Sequence, residues 1–179
     1  MNIIVCAGES ETFWFAEPIG IGLVNSAINL TRILIENGDI NHILFVGTAG
    51  SYGRNKIFDI VESKTAANIE HGFFDAKSYT PIDNVISSSD DVSRETVVNS
   101  SNYITTNKDI AERFLEAGLD LENMEFFSVM TVAKSFNIPA GGVFAVSNYC
   151  DKNAHEEFLE NRKRAMNILE EHLRSKKII

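Results

Sequence analysis

Basic residues are scarce in this chain: 16 lysines and arginines stand against 25 aspartates and glutamates, giving a formal net charge of −9 over 179 residues. That balance argues against a nucleic-acid backbone or an anionic membrane surface as the main partner, because both require a surplus of positive charge. It leaves room for a small ligand in a local pocket. Cysteine is nearly absent too. Cys6 and Cys150 are the only two, and they lack the paired spacing of a metal site, so they read as reduced thiols. No apolar run approaches the length of a membrane span. The opening Met1–Cys6 stretch has neither the basic flank nor the long apolar core of a secretory signal. These features predict a soluble cytoplasmic protein. The four histidines show no metal spacing and no obvious triad, so no metal is expected. His155 and His172 fall on an expected terminal helix and should face solvent. A GxSxG elbow, a Walker loop and a complete dinucleotide fingerprint are all missing.

What remains is ordinary globular composition, 44% hydrophobic and 23% charged, in one domain spanning residues 1–179. There is no internal repeat, low-complexity tract or linker. Ile3–Ala7 reads as a buried strand closed by Gly8, and Phe13–Ile19 as a second strand. The period then changes. Leu23, Val24, Ala27, Ile28, Leu34 and Ile35 mark one face of a helix stopped at Asn37-Gly38. His42–Val46 is the next strand, with Gly47-Thr48-Ala49-Gly50 in the loop after it. This βαβ order predicts an α/β fold: three layers, with a mostly parallel or mixed central sheet flanked by helices. Further on, Ile57–Ser63, Asp83–Ile86 and Thr96–Val98 are expected strands, and Ser87–Ser93 a polar loop. Lys108–Ala117 is expected as a helix, Met124–Phe136 as a buried helix, Gly141–Ser147 as a strand, and the chain from Ala154 as a long striped helix.

Ligands in such sheets gather where loops converge at the carboxyl ends of strands. Gly47-Thr48-Ala49-Gly50 falls at such an end. Its glycines either allow close backbone approach to a ligand or only serve a turn, and Thr48 offers a hydroxyl. Glu125 lies among Met124, Phe126, Phe127, Val129 and Met130. It is either a buried acid that needs hydroxyl partners or an exposed first-turn acid favoured by the helix dipole. Asn148 is either a turn residue or a donor–acceptor suited to the edge of a 6-oxopurine. Tyr103 could stack on a base or belong to the core or surface.

Taken in order, several segments resemble the purine nucleoside phosphorylase and nucleosidase superfamily, which includes methylthioadenosine/S-adenosylhomocysteine nucleosidase and futalosine hydrolase. Gly20-Ile21-Gly22-Leu23-Val24-Asn25-Ser26-Ala27 resembles its GIGKVNAA segment. Gly47-Thr48-Ala49-Gly50 is similar to its GTAG loop, and Lys56–Val61 to the strand that follows. Asn123-Met124-Glu125 resembles most of an EME helix start, while Phe136–Pro139 and Ala145-Val146-Ser147-Asn148 are similar to its FNVP and AISD segments.

The resemblance implies cleavage of a purine N-glycosidic bond. It implies that Met124 and Glu125 bind ribose, and that Tyr103, Ile104, Ser147 and Asn148 line the base site. Gly47, Thr48, Ala49 and Gly50 would hold the attacking water or phosphate, and Glu11, with Glu9 as the other register, would activate water. No cofactor is implied, only phosphate as co-substrate if the reaction is phosphorolytic, and a homo-oligomer (dimer or hexamer) is the usual assembly. The exposed-looking Phe13-Trp14-Phe15 run fits such an assembly. Three positions depart from the pattern. Asn148 replaces an aspartate that protonates the base in adenine-specific nucleosidases, which shifts the expectation to 6-oxopurines. Phe144 replaces an arginine, and Asn123 a glutamate. A hairpin before the Gly20 segment is largely missing. Hydrolysis, phosphorolysis and a non-catalytic nucleoside binder all remain open readings.

Overall fold

The structure, a computed structural model, describes residues 1–75, 77–88 and 95–179. A nine-stranded mixed sheet runs through it. Its strands are β1 (Asn2–Cys6), β2 (Glu17–Pro18), β3 (His42–Ser51), β4 (Ile60–Ser63), β5 (Thr65–Ala67), β6 (Val85–Ser87), β7 (Val97–Ser100), β8 (Leu121–Asn123) and β9 (Ala140–Tyr149). Four helices flank the sheet: α1 (Leu23–Glu36), α2 (Lys108–Glu116), α3 (Phe126–Ser135) and α4 (Ala154–Ser175). The expected α/β architecture is therefore present.

The core explains the layering. On one side, Leu30 and Leu34 of α1 and Phe126, Val129, Met130 and Ala133 of α3 bury against Ile43, Phe45, Leu121 and Phe144. On the other, Ala165, Leu169 and Leu173 of α4 cover Val46, Val143 and Ala145. Phe114 of α2 stacks on Tyr52 with ring centroids 4.7 Å apart, filling a third cluster. The α2 helix starts on an Asn107 side chain that accepts from the Ile110 N–H at 3.1 Å, and Gly118 follows its end, both ordinary stop-and-start chemistry.

One topological detail creates the site. Along one edge, β3 pairs with β9 in parallel from Ile43 to Ser51. Its other edge is shared. β1 pairs in parallel with His42–Phe45, whereas β8 pairs antiparallel only with Gly50 and Ser51. Between these two partners, the Val46–Ala49 edge has no neighbouring strand among the described residues, and Thr48, Ala49 and Gly50 border a cleft there.

Several sequence expectations change. Gly47–Gly50 lies inside β3 rather than in the loop after it, and β9 runs on past Ser147 through Asn148 to Tyr149. The Phe13–Ile19 strand shrinks to Glu17–Pro18, because Phe13 packs onto α4 and the chain turns at Trp14–Phe15. The buried stripe of α1 is Ser26, Leu30 and Leu34, leaving Val24, Ile28 and Ile35 exposed. The expected Ile57–Ser63, Asp83–Ile86 and Thr96–Val98 strands appear as β4, β6 and β7 with shifted ends. α3 begins at Phe126, after β8, a strand that the sequence pattern does not predict. Residues 89–93 of the expected Ser87–Ser93 loop lie outside the described residues.

Candidate active site

A cavity of about 270 Å³ opens at the cleft. Its wall includes Gly8, Glu11, Thr48, Ala49, Gly50, Ile104, Glu122, Met124, Glu125, Ser147, Asn148, His155 and Phe158. Several separate stretches of chain meet there, at the split in the sheet, where open α/β topologies favour ligand binding.

Glu11 reaches the open edge of β3 directly. It accepts from the Thr48 backbone N–H at 3.1 Å and from the Thr48 hydroxyl. Gly47 makes this approach possible, since a Cβ there would stand 3.3 Å from Glu11 Oε2 and 3.1 Å from the Phe45 ring. Burial pushes the Glu11 carboxyl above its ordinary range; the two Thr48 hydrogen bonds and the charge of Arg162 oppose the rise. Of the two registers considered for this acid, the geometry brings Glu11 to the cavity. Glu9 is exposed and contributes its backbone carbonyl to the Thr12 hydroxyl.

Glu125 occupies the opposite wall, at the N-cap of α3. Only 5% of it is exposed, so it is the buried acid rather than a solvated first-turn acid. Its Oε1 accepts from Gly22 N–H at 3.0 Å, and its Oε2 from Met124 N–H and Asn123 Nδ2, each at 3.2 Å. The first of these satisfies an otherwise free amide at the start of α1, whose own first turn carries no acid. Asn102 Oδ1 satisfies the next one, Leu23 N–H, at 3.0 Å. Burial raises the Glu125 carboxyl to about 7; the Gly22 hydrogen bond opposes this and the charge of Glu11 adds to it. Asn123, which departs from the EME pattern, both donates to Glu125 and accepts from Ser100 Oγ at 2.7 Å. Phe144 does not reach the cavity. It is fully buried in an aromatic cluster with Phe45 and Phe126, at centroid distances of 5.7 and 5.1 Å.

At the other end lie Ser147 and Asn148. The Ser147 hydroxyl donates to Asn148 Oδ1 at 2.8 Å, and Asn148 Nδ2 donates to the Tyr149 carbonyl at 3.0 Å. Each amide end keeps one position free for a ligand. Ile104 borders the cavity, but Tyr103 does not: it is 78% exposed, outside the wall. His155, expected simply in solvent, is exposed yet borders the cavity from the first turn of α4, and His172 Nε2 lies 3.1 Å from Glu62 Oε1.

Sequence reasoning missed Glu122. It borders the cavity from β8, a strand of three residues, and a polar residue in so short a strand gives no alternation to read.

Among the described residues no lysine or arginine borders the cavity. Arg54, the arginine nearest in sequence to the Gly47–Gly50 segment, instead pairs with buried Asp120 at 2.5 Å.

A three-layer α/β protein with a carboxylate-lined pocket in a split sheet is the class this geometry defines. The Phosphorylase superfamily model matches residues 3–175, and the chain belongs to that family. No curated protein matches the sequence directly. Solved structures share the fold at low identity. Futalosine hydrolase of Helicobacter pylori (a mutant) aligns with a TM-score of 0.78 and 19% identity over 97% of this chain and 96% of that one. Methylthioadenosine/S-adenosylhomocysteine nucleosidase of the same organism, complexed with a substituted pyrrolidine, gives 0.79 and 19% over the same shares. The Streptococcus pneumoniae nucleosidase with a transition-state inhibitor gives 0.76 and 16%, again over 97% and 96%.

Proposed function

We propose that this protein hydrolyses the N-glycosidic bond of a purine nucleoside, with a 6-oxopurine as the preferred base. The observation that carries this reading is the pairing of Glu11 on Thr48 with Glu125 on Gly22 across one cavity. Glu125 would accept the ribose hydroxyls, with Met124 under the sugar, and its negative charge would gain strength as the ribosyl carbon becomes positive. Glu11, its basicity raised by burial, would take a proton from the water that attacks the ribosyl carbon as the bond to the base breaks. General-base assistance of this kind contributes roughly 10²–10⁴-fold. Asn148 would hold the departing base by its amide but cannot protonate it, which favours a base that leaves as a stabilised anion.

Hydrolysis is preferred to phosphorolysis on electrostatic grounds. A phosphate beside Glu11 would meet like charge without a lysine or arginine in the described wall, and Arg54 is committed to Asp120. No cofactor enters this scheme, and phosphate would enter only as a co-substrate if the reaction were phosphorolytic. The reading places the enzyme in the cytoplasm, as suits two buried free thiols. It also includes a homo-oligomer, dimer or hexamer; of the Phe13-Trp14-Phe15 run only Trp14 is exposed, because Phe13 is buried against α4, and the exposed Val24, Ile28 and Ile35 of α1 supply an apolar face instead.

The test incubates the protein with inosine, futalosine and methylthioadenosine, with and without phosphate, and follows free base by chromatography. Base release without phosphate is the expected result. Strict phosphate dependence would make the protein a phosphorylase. No release, with a nucleoside still raising the melting temperature, would make it a non-catalytic binder.

A further inference from the structure

The arginines of α4 are held in different ways. Arg174 pairs with Glu170 at 2.7 Å, one turn away. Arg164 lies over Phe58, its guanidinium carbon 4.3 Å from the ring centroid. Arg162 lies over Phe158 at 5.5 Å, and among the described residues it forms no ion pair and no hydrogen bond. Its own helix offers no acid in reach, because the residues three and four positions away are Phe158, Leu159, Ala165 and Met166. Yet Arg162 is half-buried. A guanidinium so placed takes its counter-charge from another element.

The packing of α4 identifies that element. Glu157 Oε2 accepts from Tyr149 N–H at 2.8 Å, and Asn161 Nδ2 donates to the Ser147 carbonyl at 3.0 Å, so one row of the helix is pinned to the end of β9. The adjacent row is Ala154, Phe158 and Arg162, each one helical turn from the next. Ala154 and Phe158 both border the cavity. Beyond Arg162, Ala165 packs in one cluster with Cys6 and Phe13, the residues that flank the Gly8–Glu11 turn. Arg162 therefore stands behind the cavity wall, beside the base of that turn. The turn is closed by Glu11 N–H donating to the Gly8 carbonyl at 2.9 Å, and it sends the Glu11 carboxylate inward to Thr48. The charge of Arg162 reaches this carboxylate and opposes the effect of its burial.

The other titratable groups around Glu11 bring no such charge. Cys6 on β1, Glu122 on β8 and Glu125 at the head of α3 are neutral or negative groups. Glu9, in the same turn, is an exposed acid, and His155 stands exposed at the first turn of α4.

We propose that Arg162 is a positioning residue that supplies the counter-charge of the general base Glu11 from behind the cavity wall, with the Phe158 ring as its shelf. The role of Glu11 as a base rests on the nucleoside-cleaving reading above; its pairing with Arg162 does not. Acids that share one site are told apart by such differences of surroundings. Glu11 feels the cation, whereas Glu125 feels the negative charge of Glu11 instead. Because Arg162 stays outside the cavity, it favours the ionised base without occupying the position of the attacking water.

The experiment follows the Glu11 carboxyl by carbon NMR titration of the whole chain labelled at glutamate side chains, the signal being assigned by its loss in Glu11→Gln. The pH profile of kcat on inosine is measured beside it. Both are compared in the wild type, Arg162→Met, Arg162→Gln and Arg162→Lys; two neutral variants are used so that the test does not depend on one of them folding. A nearby opposite charge lowers a carboxyl by about 1–3 pH units, and a half-buried guanidinium belongs at the lower end. In the neutral variants the Glu11 titration should therefore move up by about one pH unit. The acidic limb of kcat should move with it, about tenfold lower there and converging with the wild type at high pH. Arg162→Lys should restore most of both. A purely structural role would lower the melting temperature and leave the titration in place. An unmoved Glu11 titration in the neutral variants, or a move in Arg162→Lys as large as in Arg162→Met, would overturn the inference. A titration that moves as expected in a protein that cleaves none of the three nucleosides would overturn the hydrolase reading alone.

Discussion

Replacing Glu125 by glutamine separates the stability of the empty site from its use. Folding lifts this carboxyl from an ordinary 4.5 to about 7. A carboxyl raised in the folded state contributes full stability only below its unfolded pKa, and that contribution is lost as pH rises through the folded value. A tenfold change in proton affinity is equivalent to about 1.4 kcal/mol, so the ionised site costs about 3 kcal/mol once pH exceeds about 8. Roughly 0.8 kcal/mol of this is already lost by about pH 5, so about 2–3 kcal/mol is lost between pH 5 and 8. Glutamine cannot ionise and is free of this slope. Melting curves of the two proteins at both pH values should therefore diverge: the wild type loses about 5–10 °C relative to Glu125→Gln on going from pH 5 to 8, at about 2–4 °C per kcal/mol for a domain of this size. The glutamine also donates where Met124 N–H and Asn123 Nδ2 donate now, which adds a constant penalty but no pH dependence. Nucleoside cleavage should disappear in the same variant. Parallel pH–stability curves would refute the buried, desolvated carboxylate, and full activity would refute its contact with ribose.

Glu11→Gln should lower kcat by about 10²–10⁴-fold with a small change in KM, whereas Glu9→Gln should leave both unchanged; steady-state kinetics on inosine decides. Thr48→Val removes a hydrogen bond that lowers the Glu11 carboxyl, so its pKa rises further. Because the base must be deprotonated, the acidic limb of the kcat profile should move to higher pH; an unmoved limb would exclude Glu11 as the base. Gly142→Ala would drive a Cβ to 2.6 Å from the Phe144 ring and 2.8 Å from Phe126. Overpacking of this kind costs about 1–3 kcal/mol, measurable by urea denaturation, and an unchanged midpoint would contradict the tight aromatic cluster.

Long, strongly periodic elements were legible in the sequence. The α4 stripe, the apolar α3 run and the βαβ opening all carry enough residues to show their period. Short polar strands were not. Thr65–Ala67 and Leu121–Asn123 are three residues each, and β8 buries Glu122 and Asn123 by hydrogen bonds that only the tertiary fold supplies. The α1 face was misjudged for a related reason. Its buried stripe runs through Ser26, whose hydroxyl donates to the Gly22 carbonyl at 2.7 Å; Leu34 is buried as expected and Leu23 and Ala27 partly so, while Val24, Ile28 and Ile35 are exposed, so hydrophobicity alone sets the face too far to one side. At the site, the acids Glu11 and Glu125 are identifiable in the sequence, yet Gly47–Gly50 reads as a loop because glycine usually marks turns. Here Gly47 and Gly50 serve close approach within a strand.

The split edge of β3 has a kinetic consequence. Glu11 meets Thr48 across 37 residues, but Glu125 meets Gly22 across 103. The second contact exists only after β8 has docked beside the end of β3. Closing a loop of that length is a late, entropically costly event. During refolding, secondary structure and β1–β3 pairing can therefore be complete while the Glu125–Gly22 contact is still missing, and recovery of the binding proposed for this cavity should lag recovery of the far-ultraviolet signal. In the native state, the same two-residue junction of Gly50 and Ser51 with Glu122 and Leu121 joins the two parts of the sheet, and its amides should exchange before those of the long β3–β9 ladder.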